Sequence, residues 1–494
     1  MITISVIRNG FKKSFQAEPG SSLLDMLREN DINIYAPCGG KGTCGKCRVN
    51  IPGKGETLAC IYYPDKDIKV ILPDDYEAKI LTTQTEFLYD VPFQSAPEVQ
   101  LSKQPYGVAI DIGATTGVMY FLNLITGQIE SISAFINPQN IYGSDVVSRI
   151  NYVQENNGGL KKLQGVIIKA INEQLKNFTQ QKELNEESIV KLVTVGNTTM
   201  LHLLLGADPV SIALAPFTPK FTGKQIISSG SVKLSMNKEG KVTTLPNVSA
   251  YVGADVLVGL TAINTDFQKF IFIDIGTNGE MALVNGDKII TCATAAGPAF
   301  EGANLYCGTG AIEGAIAEFF DVSHYKTISN ADPVGICGSG IVDILAYLVR
   351  NKIVDETGLL KEDPFVIHQS NQIQVTQQDI REIQLAKSAI MAGIRLLLKH
   401  AGLNYDELDA LFLAGGFGNY INIESGIQIG LLPKEMQDKI YPIGNSAGIG
   451  ALQSLKSADF EQKVNETLQN TSYIELSNEE DFPVEFAMNM NFDI

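Results

Sequence analysis

A multidomain α+β protein is what this sequence predicts: a small N-terminal domain built around four cysteines, then a large α/β part made from one unit used twice. Three observations carry that prediction. Seven cysteines occur in 494 residues, and four of them fall between positions 38 and 60. The stretch 270–283, FIFIDIGTNGEMAL, repeats the plan of 106–121, YGVAIDIGATTGVMYF, with Asp111 and Asp274 standing 163 positions apart. A third glycine-rich turn, LFLAGGFGNY at 411–420, follows the second copy.

In the second copy an apolar run ends in Asp274, and Gly276-Thr277-Asn278-Gly279 reverses the chain before Glu280 and another apolar run. Aromatic and β-branched strands around Gly and Asn turn residues read as a β-hairpin. Gly276 and Gly279 let backbone amides approach a ligand, Thr277 adds a hydroxyl, and Asp274 places a carboxylate at the strand end. That set suits a phosphate with its metal ion. For one such stretch alone, an ordinary hairpin with an N-G turn is the plain alternative. The first copy offers Asp111, Gly113, Thr115, Thr116 and Gly117 in the same order. The spacing is too long for a solenoid repeat and fits two half-domains, each giving one phosphate-facing hairpin to a shared cleft. Gly415, Gly416 and Gly418 let backbone lie against a flat ligand such as a purine.

Asp111-Ile-Gly-Ala-Thr-Thr, Asp274-Ile-Gly-Thr-Asn-Gly-Glu and Ala414-Gly-Gly-Phe-Gly resemble the two phosphate motifs and the adenosine motif of the actin, sugar kinase and heat-shock chaperone ATPase superfamily. The likeness extends to Val195-Gly-Asn197-Thr-Thr-Met and Gly444-Asn-Ser-Ala-Gly. It implies a two-lobed, actin-like (RNase H-like) ATPase domain over residues 105–494, the second lobe starting near 250–270. It also implies a Mg2+–ATP site in which Asp111 and Asp274 hold the metal's water shell. Gly113, Thr115, Thr116, Asn197, Gly276, Thr277, Asn278 and Gly279 would take the phosphates. Gly415, Gly416 and Gly418 would floor the adenine, and Glu280 would orient an attacking water.

Cys38, Cys44, Cys47 and Cys60 stand at C-x5-C-x2-C-x12-C. Disulfides are not expected in a large chain of apparently cytosolic character; a structural zinc and a [2Fe–2S] cluster both accept four thiolates. Zinc ribbons usually pair two C-x2-C knuckles, and this sequence has one. Glycines at 39, 40, 42 and 45 suit a loop wrapping a cluster, and the spacing lies within one residue of the plant-type C-x4-C-x2-C. The cluster is the preferred reading and zinc the alternative. Residues 2–7 and 11–17 flank Asn9-Gly10 as a hairpin. Ser21 or Ser22 caps a short helix running to Arg28, with Leu23, Leu24 and Leu27 on its apolar face, and 67–72 reads as a closing strand behind Cys60. That order resembles a β-grasp ferredoxin and assigns residues 1–75 to one domain. Residues 76–104, acidic and polar with Pro92 and Pro97, form a linker whose apolar cluster at 87–93 can pack on either neighbour.

The composition, 45% hydrophobic with a mean hydropathy of +0.06, is that of a globular protein. No apolar run approaches the roughly 18 residues of a membrane span, and MITISVIRNG lacks the plan of a signal peptide, so a cytoplasmic protein is expected. The formal charge of −17 argues against nucleic acid or an anionic membrane as partner. Residues 1–104 hold 12 Lys/Arg and 13 Asp/Glu, which leaves −16 on the rest. Lys41, Lys46, Arg48 and Lys54 crowd the cysteine loop, a basic rim suited to an acidic partner face. Asp145 and Arg149, at i, i+4 on an expected helix, read as a helix-stabilising ion pair, with a cleft contact as the alternative. The glycine-rich loops 296–302 and 336–340 are placed to close over the nucleotide. His202 reads as a core histidine, and Cys292, Cys307 and Cys337 as small buried residues.

A plant-like cluster joined to an actin-like ATPase resembles the reductive activators of corrinoid proteins. The resemblance rests on Cys38-Gly-Gly-Lys-Gly-Thr-Cys-Gly-Lys-Cys47, the paired Asp-Ile-Gly motifs, Asn137-Pro-Gln with Tyr142-Gly-Ser-Asp, and Ala414-Gly-Gly-Phe-Gly-Asn. It implies ATP-dependent transfer of a low-potential electron from the [2Fe–2S] cluster to Co(II) of a corrinoid methyl-carrier protein. It also implies an upstream low-potential electron donor and allows a homodimer. Better-known members carry an extra middle domain after the linker, and this sequence reads as a shorter member without one. The competing readings are an electron donor to another low-potential enzyme and a redox-sensing, nucleotide-binding regulator.

Overall fold

The computed structural model describes residues 1–8, 11–30, 32, 34, 36, 40, 42, 47–72, 87, 88, 90–95 and 97–492. Cys38, Cys44, Lys41, Lys46 and the linker residues 73–86 lie outside the described residues.

The N-terminal domain is a β-grasp sheet. Strands β1 (Ile2–Arg8) and β2 (Phe11–Ala17) form the expected hairpin, and β1 alternates Ile2, Ile4 and Val6 into the core. With β3 (Arg48–Ile51), β4 (Gly55–Leu58) and β5 (Ile68–Ile71) the order is β2-β1-β5-β3-β4, and β1 runs parallel to β5. Ser22 caps helix α1 (Leu23–Glu29) by accepting the Asp25 N–H, and Leu23, Leu24, Met26 and Leu27 are buried beneath it. Cys47 and Cys60 belong to the same core.

The remainder holds two sheets of one design. In the first, β6 (Tyr106–Ile112), β7 (Thr116–Asn123) and β8 (Ile129–Ile136) make an antiparallel meander. Strand β9 (Ile189–Gly196) pairs parallel with β6, β10 (Gln225–Ser228) edges the sheet, and β11 (Lys241–Thr244) runs parallel to β9. The second sheet repeats the meander with β12 (Lys269–Ile275), β13 (Gly279–Asn285) and β14 (Lys288–Thr294). Two small ladders interrupt the chain: β15 (Ala315–Asp321) with β16 (His324–Thr327) and β17 (Gly335–Ile336), then β18 (Phe365–His368) with β19 (Ile373–Val375). Strands β20 (Ala410–Ala414) and β21 (Ile440–Gly444) then pair parallel beside β12, and β22 (Thr471–Tyr473) joins the far edge. The orders β8-β7-β6-β9-β11 and β14-β13-β12-β20-β21 are the same plan twice. This is the actin-like duplication expected from the paired hairpins.

Each central strand is apolar on both faces because helices cover both. Val108, Ile110 and Ile112 of β6 meet the layer of α2 (Val146–Glu155), α3 (Gly159–Gln181) and α4 (Thr198–Leu205), while Ala109 faces the other way. In β12 Ile271, Ile273 and Ile275 face α6 (Gly338–Arg350) and α7 (Gln377–Ala401). Phe270 and Phe272 face α5 (Ala254–Thr261), which lies between the sheets. After β20 come the short α8 (Gly415–Tyr420) and α9 (Ile423–Gln428). Helix α10 (Ser446–Lys456) follows β21 yet packs on the first sheet and on α5, and α11 (Ala458–Gln469) and α12 (Phe482–Met488) close the chain. The α5–α10 crossing is tight: a Cβ on Gly259 would stand 2.7 Å from Ser446 Oγ, and one on Gly450 2.5 Å from Val258 Cγ1.

The apolar cluster of the linker packs on both lobes rather than on one neighbour. Phe87 sits 5.2 Å from Phe412 and 4.9 Å from Tyr441 in the second lobe. Farther on, the Val91 N–H donates to Gln453 Oε1, Gln94 N–H to the Lys456 carbonyl, and Phe93 lies against Gly127 of the first lobe. Among the described residues no helix is long and apolar enough to cross a membrane.

Candidate functional site

Both meanders end their first strand at a carboxylate, and both strand ends face one cavity of about 590 Å³ between the lobes. Its wall takes Asp111, Gly113, Thr115 and Thr116 from the first hairpin. The second supplies Asp274, Gly276, Thr277, Asn278 and Glu280, and the third turn supplies Gly415 and Gly416. Asn197 reaches the cavity too, although its side-chain oxygen accepts the Met200 N–H as the cap of α4. Two expected ligand glycines lie elsewhere. Gly279 faces inward, where a Cβ would stand 2.8 Å from Thr294 Oγ1, and Gly418 lets α8 approach Leu413 to 3.2 Å. Both serve packing. Gly415, by contrast, has φ +78°, and a Cβ there would collide with the Asp274 carboxylate; only glycine fits that turn.

Five carboxyl groups, those of Asp111, Asp255, Asp274, Glu280 and Glu301, crowd this part of the wall. Burial raises Asp111 to about 7, with Asp274 adding repulsion and an Asn445 hydrogen bond opposing it. Burial and then Asp111 raise Asp255 to about 7, while burial, Asp255 and Glu301 do the same for Asp274. Glu280, which accepts from Asn278 Nδ2 at 3.2 Å, is held well above the ordinary carboxylate range by burial and then by Asp255 and Asp274. Such a set ionises together only when a cation joins it. Mg2+ suits it, being a hard ion that keeps several waters and takes one or two carboxylates beside phosphate oxygens. The residues present therefore fit a metal-bound nucleoside triphosphate.

Sequence reasoning missed two contributors, Asp255 and Glu301. Asp255 stands near the head of α5, the only charged residue of an otherwise apolar helix, with no local motif to mark it. Glu301 lies in the loop 296–302; its Oε2 accepts from Thr115 Oγ1 and from Thr277 Oγ1, each at 3.0 Å. One carboxylate thus bridges both phosphate hairpins. Burial raises its pKa, against the two hydroxyls and Arg149. The neighbouring Phe300 stacks on Phe417 at 4.8 Å, so this loop also touches α8.

Arg149, expected as the helix-stabilising partner of Asp145 with a cleft contact as the alternative, takes a place beside the cleft instead of that ion pair. Asp145 caps α2, accepting the Ser148 N–H at 2.8 Å. Arg149 is fully buried and donates to the Gly143 carbonyl at 2.9 Å and Gln139 Oε1 at 3.2 Å. Its Nη2 also donates to the Ala114 carbonyl and Asn140 Oδ1. Asn137 adds bonds from its N–H to the Thr115 carbonyl at 2.8 Å and from Nδ2 to the Gly113 carbonyl at 2.9 Å. The segment 137–149 therefore braces the turn of the first phosphate hairpin. Burial lowers Arg149 to about 10, which leaves it a cation at neutral pH.

In the small domain Cys47 and Cys60 are buried, and the Cys60 N–H donates to Cys47 Sγ at 3.4 Å. Hydrogen bonds of this kind to sulfur tune iron–sulfur centres. Gly40 and Gly42 take φ +100° and +77°, open to backbone that wraps a cluster. The described half of the ligand set fits a [2Fe–2S] group; Cys38 and Cys44 lie outside the described residues. Of the basic rim, Arg48 pairs with Glu56 at 3.3 Å and Lys54 sits 4.0 Å over the Tyr62 ring. His202 is a core histidine: fully buried, it bonds the Thr198 carbonyl through Nδ1, accepts the Lys220 N–H at Nε2, and stacks on Phe221. Cys292 and Cys337 are buried, and Cys307 is half-buried.

Comparison with known families divides the chain in three. Residues 6–65 match the 2Fe-2S iron-sulfur cluster binding domain, 106–268 the RACo middle region, and 268–493 the C-terminal ASKHA domain of RACo. The expectation of a shorter member without a middle domain is overturned, because 106–268 is that middle region. It folds on the same strand plan as the second lobe and carries its own phosphate-type hairpin, so motifs alone assigned it to the ATPase. The corrinoid activation enzyme RamQ of Eubacterium limosum is 31% identical, over 96% of this chain and 96% of its own. The Co(II) methylated amine-specific corrinoid protein reductase of Methanosarcina barkeri is 23% identical over 69% and 68%. A solved reductive activator for a corrinoid, iron-sulfur protein superposes with a TM-score of 0.72 at 30% identity, covering 100% of this chain and 98% of that one. With similarity running through all three parts and nearly the full length of both proteins, the chain belongs to the RACo-type family of corrinoid activation enzymes that includes RamQ.

Proposed function

We propose that this protein is an ATP-dependent reductive activator working in the cytoplasm. It accepts an electron from an upstream low-potential donor and returns Co(II) of a corrinoid methyl-carrier protein to Co(I). The observation that carries this reading is that one chain holds a buried cysteine pair fit for a cluster and, joined to that domain by the Arg28–Ile141 hydrogen bond, two lobes whose cleft brings two phosphate-type hairpins to a group of buried carboxyls. When bound, a [2Fe–2S] cluster held by Cys38, Cys44, Cys47 and Cys60 supplies one-electron chemistry near roughly −400 mV. Every 100 mV of uphill one-electron transfer costs about 2.3 kcal/mol, so a gap of one or two such steps lies within what nucleotide binding and turnover supply.

The chain's own residues do the rest. Asp111 and Asp274 would hold the water shell of Mg2+, and Asp255 would add its charge to theirs. Amides and hydroxyls at Gly113, Thr115, Thr116, Gly276, Thr277 and Asn278 take the phosphates, and Gly415 and Gly416 lie under the adenine. Glu280, held by Asn278, is placed to orient water. Nucleotide then favours one lobe arrangement, and the partner binds that arrangement best. The test is reduction of candidate Co(II) corrinoid proteins by titanium(III), followed by Co(I) absorbance. Co(I) should accumulate only with activator and Mg–ATP together; equal accumulation without nucleotide sinks the coupling, and none with any corrinoid protein turns the reading toward another low-potential acceptor.

A further inference from the structure

One face of the segment 137–149 meets the first phosphate hairpin, and the other meets the cysteine domain. Arg28, in the last turn of α1, crosses that boundary. Its Nη2 donates to the Ile141 carbonyl, and its guanidinium carbon lies 5.9 Å from the centre of the Tyr142 ring. Inside its own domain Arg28 is tied to the cysteines. Helix α1 packs in one core with Cys47 and Cys60, and a Cβ on Gly40 would stand 3.7 Å from Arg28 Nη1 and 4.0 Å from Cys60 Cβ. Asp25 lies 3.8 Å from Nη1, and the side chain is only 13% exposed. A planar fork that bonds a carbonyl while lying against an aromatic ring is a task for Arg, not Lys.

What Arg28 grips is continuous with the phosphate turn. Ile141 ends the one-turn helix Pro138–Ile141. The neighbouring Asn140 accepts from Arg149, which also holds the Ala114 carbonyl, and Asn140 Nδ2 reaches the Thr115 carbonyl at 3.4 Å. Asn137, Gln139, Asn140 and Arg149 are all buried, and Tyr142 is held against Tyr152 at 5.0 Å. No soft element separates the carbonyls of residues 113–115 from the carbonyl that receives Arg28, and packed segments pass on small displacements.

We propose that Arg28 is a positioning residue through which the nucleotide state of the cleft sets how the cysteine domain is seated on the first lobe, and with it the surroundings of Cys47 and Cys60. The proposal rests on the nucleotide reading of the cleft. Spatial continuity is not itself coupling, so the test measures coupling directly. Amide hydrogen exchange is followed in the reconstituted full-length protein, with and without Mg–ATP, for the parent, Arg28→Gln and Tyr142→Leu, with nucleotide binding measured by calorimetry on the same samples. In the parent, Mg–ATP changes exchange in both 137–143 and α1. In the variants the change persists at 137–143 and disappears at α1. Without nucleotide, α1 in Arg28→Gln already exchanges about tenfold faster, the scale of one lost charge-assisted hydrogen bond, and in Tyr142→Leu, which loses only the ring contact, by less. The visible circular dichroism of the cluster responds to Mg–ATP in the parent alone. A parent α1 indifferent to bound Mg–ATP, or variants that keep the parent response, overturns the proposal. Calorimetry that detects no nucleotide removes the nucleotide reading instead, and equal α1 exchange in all three apo-proteins then removes the docking contact as well.

Discussion

If the cleft takes a metal-bound nucleotide as proposed, Asp111, Asp255 and Asp274 set the pH at which it does so. Each is raised to about 7 in the folded chain, against about 3.9 for a free aspartate. Between those values the native state binds protons that the unfolded chain has released, so ligand-free stability falls as pH rises through this window. Mg–ATP needs the carboxylates ionised, so its affinity moves the opposite way, by roughly tenfold per displaced proton between pH 6 and 7. Calorimetry and thermal midpoints across pH 5–8 check both trends, and Asp255→Asn, which removes one repelling charge, should shift the binding profile to lower pH. Glu301 makes a second case. Glu301→Gln keeps a group within reach of Thr115 and Thr277 but removes the charge a phosphate must displace. Mg–ATP should bind up to about tenfold tighter; weaker binding would make Glu301 a support of the phosphate site rather than its rival. Cys47→Ser should abolish the visible cluster absorbance and leave Mg–ATP affinity intact. The residues legible in the sequence were those fixed by a strand and its turn, as Asp111 with Thr115 and Asp274 with Thr277. Asp255, Glu301 and Arg149 enter the site through folding of distant segments, and a glycine such as Gly279 looks the same in sequence whether it faces a ligand or Ile390.

At the scale of elements, the cleft depends on how closely α5 and α10 cross. They stand between the lobes, one bringing Asp255 and the other Asn445 to the same wall. Gly450→Ala puts a Cβ 2.5 Å from Val258 Cγ1 and 2.6 Å from the Val258 carbonyl oxygen. Relief requires the helices to part by tenths of an ångström, at about 1–3 kcal/mol for overpacking. Lower thermal stability should accompany weaker Mg–ATP binding, with the cluster spectrum unchanged; parent-like affinity in a destabilised variant would detach the crossing from the site. Neither helix shows an amphipathic stripe, because α5 is buried on nearly every side and α10 is rich in Ala and Gly. Their helical period was therefore hidden. The central strands were easier, since a short apolar run bounded by Asp and Gly reads as a strand covered on both faces. The shared strand plan of the two sheets also explains why the sequence reads as lacking a middle domain: the middle region at 106–268 has the same plan as the lobe that follows it.

Over the whole molecule, the described residues between 87 and 101 form a strap packed on both lobes. Phe87 is pressed among Phe412, Tyr441 and Phe267, and the residues after it reach α10 and the first lobe. Asp90 pairs with Lys456 at 3.0 Å and Gln94 Nε2 donates to Asp459 at 2.6 Å on the way. A strap pinned at both lobes shortens the chain between the cysteine domain and the cleft. Its release lengthens the tether, and effective concentration falls with roughly the −3/2 power of tether length. Phe87→Ala removes the ring that begins the pinning and should cost about 1–3 kcal/mol of local stability, less than a fully buried Phe because Phe87 is half-buried. The expected phenotype separates tethering from site chemistry. Cluster absorbance and Mg–ATP affinity stay within about twofold of the parent, proteolysis within the strap quickens, and corrinoid reduction slows several-fold at low partner concentration. A Phe87→Leu variant, which keeps apolar bulk, should recover most of the rate. If Phe87→Ala reduces the corrinoid protein as fast as the parent while its strap is demonstrably cut more readily, the strap is only a connector and the cysteine domain keeps its place through its own contacts.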